Sequence, residues 1–150
     1  MKMLDNLGIK YITQYPLCID GKKYEIDFFI PKDEKVNYDM YLEVDGLNHF
    51  QDVFHNQEYQ VQRDNTINRW MIKNKQNFLR TSIIDFRFED NFRAIRHFIL
   101  FGYNSVGPEV HVILFYGIYY NKMVKDTHTF FGVSEYELFK KSWLYVWKTK

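Results

Sequence analysis

Three acids of this 150-residue chain, Asp27, Glu43 and Asp45, stand close enough in the pattern to act together. They fall in two alternating segments, Tyr24-Glu25-Ile26-Asp27-Phe28 and Tyr41-Leu42-Glu43-Val44-Asp45. Period-two alternation sends Tyr24, Ile26, Phe28 and Ile30 to one face of the first strand and Asp27 to the other, and puts Glu43 and Asp45 together on one face of the second. On neighbouring strands the three carboxylates would converge. Unpaired like charges are costly to hold away from water, so such a cluster normally persists because a cation neutralises it. Hard oxygen ligands select magnesium, manganese or calcium. An ion of that kind can bind a phosphodiester, acidify the attacking water and stabilise charge on the leaving oxygen.

The elements that must position these acids are legible in the surrounding pattern. A short helix is expected at residues 2 to 8, then an extended segment Tyr15 to Ile19, and Asp20-Gly21 is a hairpin signal joining it to a strand Tyr24 to Ile30. A polar loop from Pro31 to Asp39 leads to a third strand, Met40 to Asp45, with Leu42 and Val44 facing the core, and Gly46 ends it. From Glu58 to Lys75 the spacing turns helical, with Asp64, Ile67, Trp70, Met71 and Asn74 on one inward stripe. Asn77 to Ile84 is a short strand and Phe92 to Phe101 a second amphipathic helix. The core order is thus αβββαβα over residues 1–106.

Residues 107–150 form a C-terminal strand and helix appendage packed on the same domain. Gly107-Pro108 marks a break, Val110 to Tyr120 is apolar on both faces and predicts a buried strand, and His128 to Val133 is a candidate hairpin partner. Ser134 with Glu137 fits a capping box opening a final helix to about Trp147.

Composition bounds the alternatives. Twenty Lys plus Arg against 19 Asp plus Glu leave a net charge of +1, which argues against a histone-like nonspecific binder but allows a local basic surface. The lone cysteine, Cys18, excludes an internal disulfide, and with His49 and His55 it fits no usual zinc signature. No signal-peptide core or bilayer-length apolar run is present, so the expectation is an intracellular, cytoplasmic protein with no membrane partner. Fourteen Phe, 12 Tyr and 3 Trp mean that large rings fill much of the interior.

The ordered set of the Asp27 strand, then Leu42-Glu43-Val44-Asp45-Gly46-Leu47-Asn48-His49-Phe50, then Gln62-Arg63-Asp64 in a helix and Phe78-Leu79-Arg80 in a strand, resembles the PD-(D/E)XK nucleases. The nearest branch is the very-short-patch-repair-like endonucleases, with relatives in phages and among homing enzymes. The likeness covers residues 10 to 85. It implies an α/β restriction-endonuclease-like fold with a mixed central sheet flanked by helices, and a Mg2+- or Mn2+-dependent DNA endonuclease leaving a 5′-phosphate and 3′-hydroxyl. Phage relatives place the cytoplasm of a virus-infected cell among its settings.

Position by position, the resemblance implies that Asp27 and Glu43 bind the metal, with Asp45 a third ligand or a water-positioning acid. His49 would sit by the scissile phosphate, where its near-neutral pKa permits proton transfer, and Asp64 would support His49 or a metal-bound water. Arg63, Arg69, Lys73 and Lys75 would face nucleic acid: from Glu58 to Arg80 the charges sum to +3. Three departures stand out. The family's lysine two residues after the Glu is here Asp45, so His49, Arg63 or Lys73 must meet the transition-state charge; Ile26 replaces the proline before the first Asp; and Ile67 stands where relatives often carry a lysine three residues after the helix Asp.

Blander readings compete for single residues. Asp64 fits the favourable negative charge of a helix's first turns, and Arg63 and Lys73 fit ordinary solvated helix charges. Two other function classes fit the same residues: a catalytically inactive nuclease-fold module binding nucleic acid or protein, and an RNA-cleaving nuclease. No separate DNA-reading module is identifiable, so specificity falls to residues 31–39, the His49 to Gln57 loop or the appendage, which could alternatively build a homodimer that cuts both strands.

Overall fold

Asp20 and Gly21 reverse the chain with φ of 50° and 79°, the two left-handed positions that a tight hairpin turn needs to match strand twist. They join β1 (Ile12–Ile19) to β2 (Lys22–Ile30), whose antiparallel register runs from Ile19↔Lys22 to Ile12↔Phe29. The structure, a computed structural model, describes residues 2–36, 38–46, 57–101, 112–115 and 144–147, with backbone alone at 57–61 and 144–147. Ahead of the hairpin lies α1 (Lys2–Asn6); after it come β3 (Met40–Asp45), α2 (Gln57–Lys73), β4 (Phe78–Ser82), a 3-10 turn (Ile84–Arg87) and α3 (Glu89–Phe101). Two further strands, β5 (Val112–Phe115) and β6 (Leu144–Trp147), complete the order.

The six strands form one sheet in chain order, β1-β2-β3-β4-β5-β6. The first three are antiparallel; β3 to β6 pair in parallel. A parallel pair needs a crossover, and α2 and α3 supply those after β3 and β4. The chain is therefore α/β, with a mixed sheet flanked by helices.

Each sheet face carries its own core. On one, Met3 and Leu4 of α1 and Ile95, Phe98 and Ile99 of α3 pack with Ile30, Met40, Leu42, Leu79 and Phe115. On the other, Ile67 and Met71 of α2 pack with Leu17, Ile19, Ile26, Tyr41, Phe78 and Val112. Both β4 and β5 are buried at every described position: β4 follows Phe78-Leu79 with the polar run Arg80-Thr81-Ser82, whereas β5 is the continuous apolar run Val112-Ile113-Leu114-Phe115 usual for a parallel strand. Full burial of each such side chain contributes about 1.5–3 kcal/mol. Part of the high aromatic content becomes a ring series on the α2 face: Tyr15 stacks on Phe29 at 4.5 Å, Phe29 meets Tyr41 at 5.1 Å, and Tyr41 meets Trp70 edge-on at 6.4 Å.

The element order αβββαβα is that expected through residue 101, and three expectations need correction. Tyr24 and Ile26 pack on the α2 side whereas Phe28 and Ile30 pack on the α1 and α3 side, so the single apolar face expected of β2 changes sides at Asp27. Asn74 is exposed, its amide donating to the Trp70 carbonyl, because α2 stops at Lys73 and no longer faces the sheet there. The final helix does not reach Trp147: Leu144–Trp147 is a strand parallel to β5, as its run of aromatic and branched residues favours. The appendage thus contributes two strands to the central sheet. The remaining expectations there, over 116–120, 128–133 and the Ser134 capping box, lie outside the described residues.

Among the described residues, no helix is long and apolar enough to cross a membrane.

Candidate functional site

Strands β2 and β3 part company at Asp27. Their ladder runs Ile30↔Met40, Phe29↔Tyr41, Phe28↔Leu42 and stops. The β1 side is interrupted at the same place, with Thr13↔Phe28 and Tyr15↔Ile26 paired and Gln14 between them at φ 50°. A non-glycine residue in that region is uncommon and stores strain. Two carboxylates replace the missing ladder bonds: the Asp27 backbone N–H donates to Glu43 Oε1 at 3.0 Å, and the Val44 N–H donates to Asp27 Oδ2 at 2.8 Å. Each acid is thereby fixed by a main-chain donor. Unlike most β-strand side chains, both take their orientation from the backbone of the neighbouring strand.

Behind Glu43 sits a buried cation. Arg80 of β4 is opposite Glu43 in the parallel register and points to the same α2 face, with 1% exposure. Its Nη1 lies 2.8 Å from Asp45 Oδ1 and 3.1 Å from Asp64 Oδ1, and its Nε donates to Asn68 Oδ1 at 3.0 Å. Asp64 and Asn68 are one helical turn apart on α2, which is why one guanidinium reaches both. Arg63 closes the far side, Nη1 at 3.2 Å from Asp64 Oδ1 and Nη2 donating to the Glu25 carbonyl at 2.9 Å. With all groups ionised, four carboxylates face two guanidiniums, leaving two negative charges.

Glu43 responds to this setting. Its carboxyl is pushed up to about 7, chiefly by burial, with Asp27 and Asp45 adding repulsion, while Arg80 foremost and Arg63 oppose the rise. The group sits near neutrality between its two charge states.

Of the residues expected to form the site, Asp27, Glu43, Asp45 and Asp64 are brought into one electrostatic neighbourhood. Their pairings differ. Asp45 and Asp64 are held by arginines, whereas Asp27 and Glu43 each commit one oxygen to a backbone donor, and among the described residues no hydrogen bond is made by the other. Asp27 and Glu43 are therefore the acids that could hold a divalent ion; magnesium commonly takes one or two carboxylates and keeps several waters. A group of three His, Cys, Asp or Glu side chains able to hold a metal is absent among the described residues, consistent with Asp45 being drawn to Arg80. His49 lies outside the described residues, as does His55. Cys18 is exposed.

The expected basic patch divides. Arg63 is turned inward onto Asp64 and the Glu25 carbonyl. Arg69 and Lys73, exposed and one turn apart on α2, line a hollow of about 420 Å3 beside Trp70, Thr66 and the Asp20 turn. Lys75 follows the helix end at φ 53°.

Arg80 is the central residue that sequence reasoning left without a role. The signal existed: a lone charge within Phe78-Leu79-Arg80-Thr81-Ser82, a strand buried at every position, is uncommon unless paired. Neither a family model, nor a curated protein, nor a solved structure matches this chain.

Proposed function

We propose that the chain is a Mg2+- or Mn2+-dependent phosphodiester hydrolase acting on DNA as an endonuclease, with a restriction-endonuclease-like fold. The observation that carries this reading is the Asp27 and Glu43 pair, each pinned by a backbone N–H across parted strands with its second oxygen outside any hydrogen bond among the described residues, beside a cluster carrying, when fully ionised, the negative charge that one divalent ion balances. The ion would supply a Lewis acid for the phosphate and a more acidic water. Asp27 and Glu43 would hold it. Arg80 would fix Asp45 and Asp64, keeping the acids from repelling Glu43 out of place, and would bring a positive field where the resembled family carries a lysine amine. Arg69 and Lys73 would bind backbone phosphates at a distance from the reacting bond.

The test is a cleavage panel of plasmid, single-stranded, branched DNA and RNA across magnesium, manganese and calcium, with wild type, Asp27→Ala and Glu43→Ala. Cleavage by wild type alone, dependent on metal, supports the proposal; uniform inertness with nucleic acid still bound supports the silent binding module instead. The second reading has its own observation: Asp45, standing where the family has lysine, is locked in a buried pair with Arg80. RNA cleavage is decided by the same panel.

A further inference from the structure

Asp27 borders a second space, on the sheet face opposite Arg80. A groove of about 960 Å3 is lined there by Gln14, Asp27, Phe28, Phe86 and Phe92, with Ile83 and Val44 also in its wall. Its position follows from the change of face in β2. Phe28 and Val44 belong to the α1 and α3 side, and Phe86 and Phe92 meet edge-on at 6.3 Å against the same core. Gln14, exposed at φ 50° directly opposite Asp27, carries a side-chain amide with both donors and an acceptor. Ile83 is 49% exposed although its backbone N–H is anchored on the Asp45 carbonyl at 2.8 Å.

Resting on the phosphodiester hydrolase reading, we propose that this groove receives one unpaired nucleobase of a single-stranded segment, that of the nucleotide whose phosphate lies at Asp27. Partly exposed phenyl rings offer a stacking surface that any base can use, and the Gln14 amide can meet a base edge. Asp27 is in the wall, so the groove shares this residue with the candidate metal site, and the exposed Lys2 at its margin supplies a charge opposite to phosphate. A base within a duplex has its faces covered by stacking and its edge by pairing, so it must be unstacked to enter. The substrate class is therefore single-stranded DNA or an unpaired stretch within a duplex.

The test titrates a phosphorothioate-linked single-stranded hexadeoxynucleotide, its abasic counterpart and the same sequence as a duplex into the magnesium-loaded protein, following Ile83 and Val44 methyl signals and affinity. Ring currents should move both methyl groups with the single strand, and affinity should fall about tenfold for the abasic strand and for Ile83→Trp, which fills the groove. Gln14→Gly, which suits the positive φ, should fold normally and weaken binding without moving the magnesium dependence. If Ile83→Trp does not fold, the abasic comparison and Gln14→Gly decide. Binding of the strand with unmoved methyl signals, or equal affinity for the abasic strand, overturns the groove while leaving the hydrolase reading intact. Binding of no nucleic acid at all overturns both.

Discussion

Arg80 reaches from β4 to Asp45 on β3, Nη1 to Oδ1 at 2.8 Å, with both side chains at 2% exposure or less. A cation so placed makes removal of either partner expensive, because the other remains as an uncompensated buried charge. Arg80→Met is expected to cost about 3–5 kcal/mol in urea-induced unfolding. Arg80→Lys should recover little, since an ammonium lacks the planar fork that meets Asp45, Asp64 and Asn68 together. An Arg80→Met variant as stable as wild type would contradict the pairing.

Glu43 gives a pH dependence whose sign is fixed. Its folded carboxyl stands at about 7, above the ordinary 4.5, so the native state holds a proton that the unfolded chain releases. The stability from this neutral form is complete below about 4.5 and is lost as pH rises through about 7. Glu43→Gln remains neutral and can still accept the Asp27 N–H, so at pH 8 it should be more stable than wild type by about 3 kcal/mol, with the gap closing near pH 4.5. Chemical denaturation at the two pH values checks this; a pH-independent difference would refute it.

Metal should invert that trend. A divalent ion must displace the Glu43 proton, so its stabilising effect on wild type should grow between pH 6 and 8 and vanish in Glu43→Gln. Thermal melting with magnesium, manganese and EDTA at each pH reads it directly. Stabilisation equal in wild type and variant would place the ion elsewhere.

For activity, Asp27→Asn keeps an oxygen acceptor for the Val44 N–H and removes the charge. Cleavage should fall by at least about a hundredfold with the fold retained by circular dichroism. Undiminished turnover would remove Asp27 from the machinery.

Arg69→Ala and Lys73→Ala should weaken DNA binding uniformly across sequences, each lowering the salt slope of log affinity by about one. Arg63→Ala, by contrast, should destabilise the fold, because its guanidinium is spent on Asp64 and the Glu25 carbonyl. Anisotropy titrations at several salt concentrations separate the two behaviours.

Local chemistry in the chain was enough to place the hairpin at Asp20-Gly21, the strand Met40 to Asp45, a helix expected to Lys75 that ends at Lys73, the helix to Phe101, and the candidacy of Asp27 and Glu43. Turn propensity and apolar period act over a few residues, so they are written in the order of the amino acids. The β2 face change was not, because it coincides with a left-handed Gln14 on β1 beside Asp27, a feature of two strands held together. Tyr24 and Phe28 look alike in sequence yet lie on opposite sides of the sheet.

Arg80 shows the same division. Its type and its apolar neighbours are plain in Phe78-Leu79-Arg80, but its partners Asp45, Asn68 and Asp64 come from β3 and α2, up to 35 residues away. Which carboxylate a guanidinium neutralises, and which it leaves unpaired with an arginine, depends on distance and burial after packing. The inventory of acids and the strands that carry them are written in the chain; that Asp45 and Asp64 face arginines while Glu43 accepts from the Asp27 N–H and Asp27 from the Val44 N–H comes from packing, because charge pairing is settled by a parallel register and a helix crossing that no local pattern encodes.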